Sequence, residues 1–393
     1  MCYTRPYSKP NLTHLSLLPL SLYIHIPWCL KKCPYCDFNS HALKQTLPEQ
    51  QYVDCLLADL ARDVARYHIK RPLESIFIGG GTPSLFSPRA LDNLLSGVQQ
   101  QLVFSSDIEI TLEANPGTFE QAKFAEFRAI GINRLSIGIQ SFDDALLAQL
   151  GRVHNGKEAI RAAEIAHQAN FENINLDLMF GLPSATLTHS EKDIQTAIAL
   201  TPTHLSFYQL TLEPNTYFHR YPPTLPSDDA LLNTQRHCQA LLAAHHFEQY
   251  EVSAYSLQGK QCRHNKNYWQ FGDYLGIGAG AHGKISLSAP HNIVRTQKNK
   301  HPERYQQITA HPFIEETISQ ADLPLEFLMN HLRLKQGFSL SHYEKVTGLG
   351  PCTLERQLSD CVREKLLVKS GDIYTCTAFG WDFLDTILQK FVA

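Results

Sequence analysis

Between residues 22 and 210 a short apolar run followed by a longer amphipathic segment recurs six times, and this rhythm restricts the fold more than any other feature of the chain. The apolar runs are LYIHI (22–26), SIFIG (75–79), IEITLE (108–113), RLSIGIQ (134–140), INLDLMFG (174–181) and HLSFYQL (204–210). The intervening segments carry helical spacing: in YVDCLLADLARDVARY, Leu56, Leu60 and Val64 fall on one face. Strand and helix in alternation predict an α/β fold with a parallel sheet. Six such units can form an open doubly wound sheet or a barrel. The chemically distinctive residues favour the barrel. Cysteines follow the first strand, a glycine run the second, and Glu113 closes the third. Gln140 closes the fourth, Asp177 lies in the fifth and Gln209 ends the sixth. A barrel gathers all its strand ends at one mouth, whereas an open sheet uses mainly its switch point.

Beyond residue 210 the pattern changes. A Pro-rich loop leads to a helix near Ala230–Ala244, then to the strand-like EVSAYS and an aromatic, Gly-rich loop from Cys262 to Gly283. From about residue 310 the pattern predicts two helices, a β-wing around Ser370-Gly371-Asp372 and a final helix, a winged-helix-like arrangement. The expected organisation is a leader at 1–14, a partial (β/α)6 TIM-like barrel at 15–215, a barrel extension at 216–309 and a small C-terminal α/β domain at 310–393.

Charge and cysteine usage narrow the class. With 35 basic and 38 acidic residues the net charge is −3, and no Lys/Arg-rich recognition helix is present, so nucleic acid is not an expected partner. No apolar run reaches the roughly 18 residues of a membrane span. The apolar stretch Leu15–Ile26 follows Arg5 and Lys9, but it runs without a small-residue cleavage site into Pro27 and Trp28. It therefore predicts a strand at Leu22–Ile26 rather than a secretory signal. Seven of the ten cysteines are scattered, which fits a reducing cytoplasm better than a disulfide framework.

The other three cysteines form the cluster Cys29-x3-Cys33-x2-Cys36. Three thiolates so close can hold zinc or an iron–sulfur cluster. Structural zinc usually has two separated pairs, and no second CxxC occurs here. A cubane held by three thiolates keeps one iron open to a chelating amino and carboxylate pair. The string YIHIPWCLKKCPYCDF (23–38) resembles the signature of the radical S-adenosylmethionine enzymes. Within them it resembles the branch containing the oxygen-independent coproporphyrinogen III oxidases and their heme-chaperone relatives, and the similarity covers nearly the whole chain. The resemblance implies a [4Fe-4S] cluster on Cys29, Cys33 and Cys36, with S-adenosyl-L-methionine on the fourth iron and a 5′-deoxyadenosyl radical as its reductive product.

By the same resemblance, Gly80, Gly81 and Thr82 of GGGTP contact the methionine part of the cofactor, and Tyr23 and Tyr35 flank it. Glycines there would let a ligand reach the backbone; a tight turn is the plainer reading. Glu113 could pair with the cofactor's ammonium group, Arg152 with a carboxylate and Asp177 with ribose hydroxyls. Gln140 matches the family pattern as well.

Two features separate the relatives. The oxidases carry a further cysteine two residues after the third, where this chain has Phe38. His264-Asn-Lys-Asn-Tyr-Trp269 resembles the HNxxYW motif that is implicated in heme binding in the chaperone branch. An imidazole can ligate heme iron, and Tyr268 and Trp269 offer flat faces to a macrocycle. An aromatic loop packed over the barrel mouth is the alternative. The resemblance thus implies heme as ligand and an apo-hemoprotein as acceptor, without coproporphyrinogen oxidase activity. It leaves open a homodimer, a peripheral membrane contact through the acceptor, and the alternative of a decarboxylating oxidase in porphyrin biosynthesis.

Overall fold

In the strand Leu20–Ile26 (β1), alternate side chains serve two different purposes. Leu22, Ile24 and Ile26 are fully buried in the main core, whereas Tyr23 and His25 point the other way and are bonded to each other. The computed structural model describes residues 18–44, 46–117, 121–287, 292–307 and 313–392. The expected leader and Leu15–Leu17 lie outside the described residues.

The same alternation repeats in Leu73–Gly80 (β2), Phe104–Ala114 (β3), Arg134–Gln140 (β4), Ile174–Phe180 (β5) and His204–Gln209 (β6). All six strands are parallel and in sequential order. Helices Glu49–Arg66 (α1), Pro88–Gln101 (α2), Phe124–Ala129 (α3), Gly156–Gln168 (α4) and Leu187–Ala199 (α5) lie between them. α1 buries Tyr52, Val53, Leu56 and Leu60, and α2 buries Leu91, Leu94 and Val98, in the same core as the outward side chains of β1 and β2. Each fully buried Leu or Ile contributes about 1.5–3 kcal/mol. The opposite strand face, with Tyr23, His25, Glu113, Asp177 and Tyr208, carries polar groups.

The sheet is larger than the sequence rhythm indicates. Asp273–Ile277 forms a further parallel strand beside β1. His282–Ser286, Ile293–Gln297 and Ile314–Thr317 extend that edge antiparallel, so the sheet continues past residue 309. At the other edge Ala254–Ser256 pairs antiparallel with β6, and Glu248–Glu251 pairs with it in turn. The expected Gly-rich loop is therefore largely a hairpin. Its glycines are required by close approach: a Cβ on Gly276 would stand 1.8 Å from the His282 carbonyl oxygen, and one on Gly278 2.3 Å from that of His25.

A second core is built around Phe327, Tyr343 and Leu358, and Phe271 and Ile293 of the barrel extension contribute to it. Three helices precede the wing rather than the two expected: Leu323–His331, Leu340–Thr347 and Glu355–Arg363. The wing strands Leu367–Ser370 and Ile373–Cys376 turn at Gly371, whose φ is +60°. Phe338–Ser339 adds a third strand. Among the described residues no helix is long and apolar enough to cross a membrane.

Candidate functional site

Pro27 ends β1, and the chain then closes a loop on itself. Trp28–Cys29 pairs in parallel with His41–Ala42, and Cys36 N–H donates to the Cys33 carbonyl at 3.2 Å. Asn39 anchors the loop by donating to the carbonyls of Ala279 (2.8 Å) and Lys300 (2.9 Å). Burial pushes His25 down to about 4, so its ring is neutral. Nε2–H donates to the Asn39 carbonyl at 2.9 Å, which leaves Nδ1 to accept from the Tyr23 hydroxyl at 2.9 Å. Strand and cysteine loop are thereby locked together.

Cys29, Cys33 and Cys36 are all reduced and half-buried on this loop. Burial raises the Cys29 thiol; the hydroxyls of Thr82 and Ser40 oppose this, and the neighbouring Cys36 and Cys33 add to it. Cys36 Sγ lies 3.5 Å from Ser40 Oγ, and Arg152 Nη1 donates to Cys33 Sγ at 3.7 Å. Three thiols on one loop, near enough that Cys33 and Cys36 raise Cys29, with a guanidinium donor on Cys33, suit an iron–sulfur cubane, which takes one thiolate at each of three corners. Among the described residues no three Cys, His, Asp or Glu side chains are grouped as ligands of a single metal ion.

Arg152 joins this loop to the strand ends. Its Nη2 donates to Asn115 Oδ1 and to the Gly138 carbonyl, both at 2.7 Å, and Asn115 Nδ2 donates to Thr82 Oγ1 at 2.8 Å. Arg152 Nε is buried without a hydrogen-bond partner. An orphaned guanidinium donor beside the cluster loop is what a ligand carboxylate would satisfy. Glu113 accepts the Gly80 N–H at 3.0 Å, and burial pushes its carboxyl up to about 7, with Asp177 adding to the rise. Asp177 accepts from Ser136 Oγ (3.1 Å) and Asn175 Nδ2 (2.8 Å), and burial raises it too. Gln140 receives the Tyr208 hydroxyl at 2.9 Å. These donor and acceptor sets fit a zwitterionic amino acid with a nucleoside.

The glycine run has a packing reason. A Cβ on Gly80 would stand 2.6 Å from the His25 ring at a φ of +118°, and one on Gly81 2.5 Å from the Trp28 carbonyl oxygen. Asn115, Asn39 and Tyr208 carry no motif signal, and His25 stands out in the sequence only as an imidazole near the cysteines. His25 and Tyr208 could have been found from strand alternation, since they share a face with Tyr23 and Ser206.

The Radical SAM superfamily model matches residues 23–197, and the HemN C-terminal domain model matches residues 318–383. The solved coproporphyrinogen III oxidase (HemN) from Escherichia coli superposes with a TM-score of 0.80 at 22% identity, covering 97% of this chain and 92% of that one. The heme chaperone HemW of Haemophilus influenzae is 47% identical over 379 residues, 96% of this chain and 98% of the relative. That of Escherichia coli is also 47% identical, over 96% of this chain and all of the relative. The chain belongs to the HemW family of radical SAM proteins.

The HNKNYW segment, expected to be a loop, is a helix, Arg263–Trp269. It does not cover the mouth. His264 Nδ1 meets Ser75 Oγ at 3.0 Å and Nε2 meets the Tyr268 hydroxyl at 2.7 Å, and Asn267 donates to Ser21 Oγ at 2.9 Å. Ser21 and Ser75 stand at the starts of β1 and β2, so the helix closes the end of the barrel opposite the cysteines. Glu109 accepts the backbone N–H groups of Arg263 (3.2 Å) and His264 (3.1 Å), holding the helix N-terminus. His264 is buried, and burial and Arg134 push its pKa down to about 3. Burial likewise pushes the Cys262 thiol up to about 12. In this conformation both nitrogens of His264 are occupied, and the site lies apart from the cysteine loop.

Proposed function

We propose that this protein carries heme and passes it to an apo-hemoprotein in the cytoplasm, on a scaffold that holds a [4Fe-4S] cluster and S-adenosylmethionine. The observation that carries the reading is the 47% identity, over 96% of the chain, with relatives described as heme chaperones. Phe38 supports it. It stands where the oxidases carry a cysteine and is 61% exposed, so it does not serve packing. A division at residue 215, a homodimer and a peripheral membrane contact through the acceptor belong to the same reading, whereas the boundary expected at 309 moves beyond the strand Ile314–Thr317.

Cys29, Cys33 and Cys36 would hold the cluster. When bound, it supplies one electron to S-adenosylmethionine at its open iron. Arg152 would orient the carboxylate of that molecule, Glu113 its ammonium group and Asp177 the ribose. Tyr23, Tyr35, Gly80, Gly81, Thr82 and Gln140 would shape the walls.

Anaerobic reconstitution, followed by heme titration and a coproporphyrinogen III assay on one sample, tests the function. The expected result is stable heme binding near one per chain without porphyrinogen conversion. Robust conversion would identify an oxidase instead.

Glu113 gives a pH test of the pocket. A carboxyl raised to about 7 is partly protonated at neutral pH, and an ammonium group placed against it favours the ionised form. S-adenosylmethionine affinity should therefore increase from about pH 6 to 8, with proton release on binding at the lower end. Glu113→Gln should weaken binding and flatten this dependence. An unchanged pH profile in the variant, followed by calorimetry, would remove Glu113 from the pocket. In the free protein the sign is opposite. The raised carboxyl contributes stability below its unfolded value near 4.5, and this is lost as pH rises towards 7.

A further inference from the structure

One turn of helix packs against the cysteine loop and presents an amphipathic aromatic surface to solvent. It is Tyr217–Arg220, followed by Tyr221, and Thr216 Oγ1 caps it by accepting His219 N–H at 3.1 Å. Phe218 faces inward: its N–H donates to the Pro34 carbonyl at 3.0 Å, and its ring centroid is 6.5 Å from that of Tyr35. Tyr217 and Tyr221 are each more than half exposed, with ring centroids 4.9 Å apart, and the Arg220 guanidinium lies 5.4 Å from the Tyr221 ring. His219 is exposed, and its ring has no hydrogen-bond partner among the described residues.

One further segment meets the same loop, and the loop itself adds to the surface. Gly151 packs on Pro34, and two residues on Val153 is 60% exposed. Leu30, beside Cys29, is 54% exposed and is followed by the exposed Lys31 and Lys32. Large apolar side chains left in water around one rim mark a binding surface. The rim suits a flat ligand with apolar faces and carboxylates at its edge. The tyrosine rings offer stacking area, Arg220, Lys31 and Lys32 complement carboxylates, and His219 is an imidazole free to meet a metal.

We propose that heme docks on this rim, its ring against Tyr217 and Tyr221 and its carboxylates towards Arg220 and the Lys31–Lys32 pair, rather than at the buried His264. This rests on the heme-carrying reading and assigns that function a place. Cargo held there would lie against the loop that carries the cysteines.

The test titrates the reconstituted full-length protein with hemin and with metal-free protoporphyrin IX. Tyr217→Ser/Tyr221→Ser and Arg220→Glu should each weaken both probes by about tenfold or more, because the contacts are made by ring and carboxylates. His219→Ala should shift the hemin Soret band and leave protoporphyrin affinity unchanged. Iron content and circular dichroism should match the parent in all three, since these side chains are exposed. Parent-like affinity of the tyrosine and arginine variants for both probes would overturn the proposal. So would their altering only self-association in sedimentation, which would make the rim a contact between copies. A parent protein that binds neither probe would instead refute the heme-carrying reading itself.

Discussion

Replacing Cys33 by alanine should strip the reconstituted protein of its brown absorbance and of nearly all its iron, and Cys29→Ala and Cys36→Ala should do the same. The three thiols sit on one loop, Cys33 and Cys36 both acting on Cys29, and Arg152 and Ser40 lie against two of the sulfurs. A cubane tied down at three corners has no protein ligand to spare, so loss of one lets it dissociate or be oxidised. Cys55→Ala and Cys352→Ala should keep the colour. Cys55 is buried in α1, where its thiol donates to the Gln306 carbonyl at 3.9 Å, and Cys352 is exposed in the C-terminal part of the chain. Iron and sulfide analysis reads the result directly. Retention of both in the three loop variants would refute the cluster assignment, and one equivalent of zinc in their place would make the loop a structural metal site. Circular dichroism should stay near the parent's, because the loop is pinned by Asn39 and the Trp28–Cys29 pairing rather than by the thiols.

Much of this site was legible because strands have a period of two. In β1 that period puts Leu22, Ile24 and Ile26 into the core and Tyr23 and His25 on the polar face, and in β3 it does the same for Leu112 and Glu113. Once the six strands are recognised, residues at their ends must converge. Less legible were features set by tertiary contact. The strand Asp273–Ile277 has Gly276 in its interior, which local propensity penalises, and its reason is the 1.8 Å approach to the His282 carbonyl oxygen. The helix Arg263–Trp269 has seven residues and no apolar stripe, so nothing local distinguishes it from a loop. Its placement depends on Glu109, more than 150 positions earlier. For that reason the sequence named His264 as chemically able to hold iron, while the fold turns its ring towards Ser75 and Tyr268.

Lys298→Ala should destabilise the protein by about 3–5 kcal/mol, the usual cost of removing one partner from a buried ion pair. Its ammonium is nearly inaccessible and lies 2.7 Å from Asp59 and 2.8 Å from Asp63, both on α1. Asp59 also accepts the Tyr305 hydroxyl at 2.7 Å. Without the lysine, two carboxylates remain buried together with only the half-exposed Arg62, 3.9 Å from Asp59, as a nearby cation among the described residues. The damage should reach the cysteine loop, because α1 also carries Tyr52. That hydroxyl donates to the His25 carbonyl at 2.8 Å and accepts from Ala279 N–H at 2.9 Å. Burial already pushes Asp63 up to about 6 in the intact protein. Removing the lysine raises it further, so the folded state binds more protons than the unfolded chain. The stability of Lys298→Ala should therefore recover as pH falls from about 7 towards 5. Asp63→Asn should be far milder, since Lys298 keeps Asp59 as its counter-ion. Urea midpoints at several pH values read all of this. A loss below about 1 kcal/mol, or a loss independent of pH, would mean that the pair is hydrated and does not hold α1 to the sheet edge.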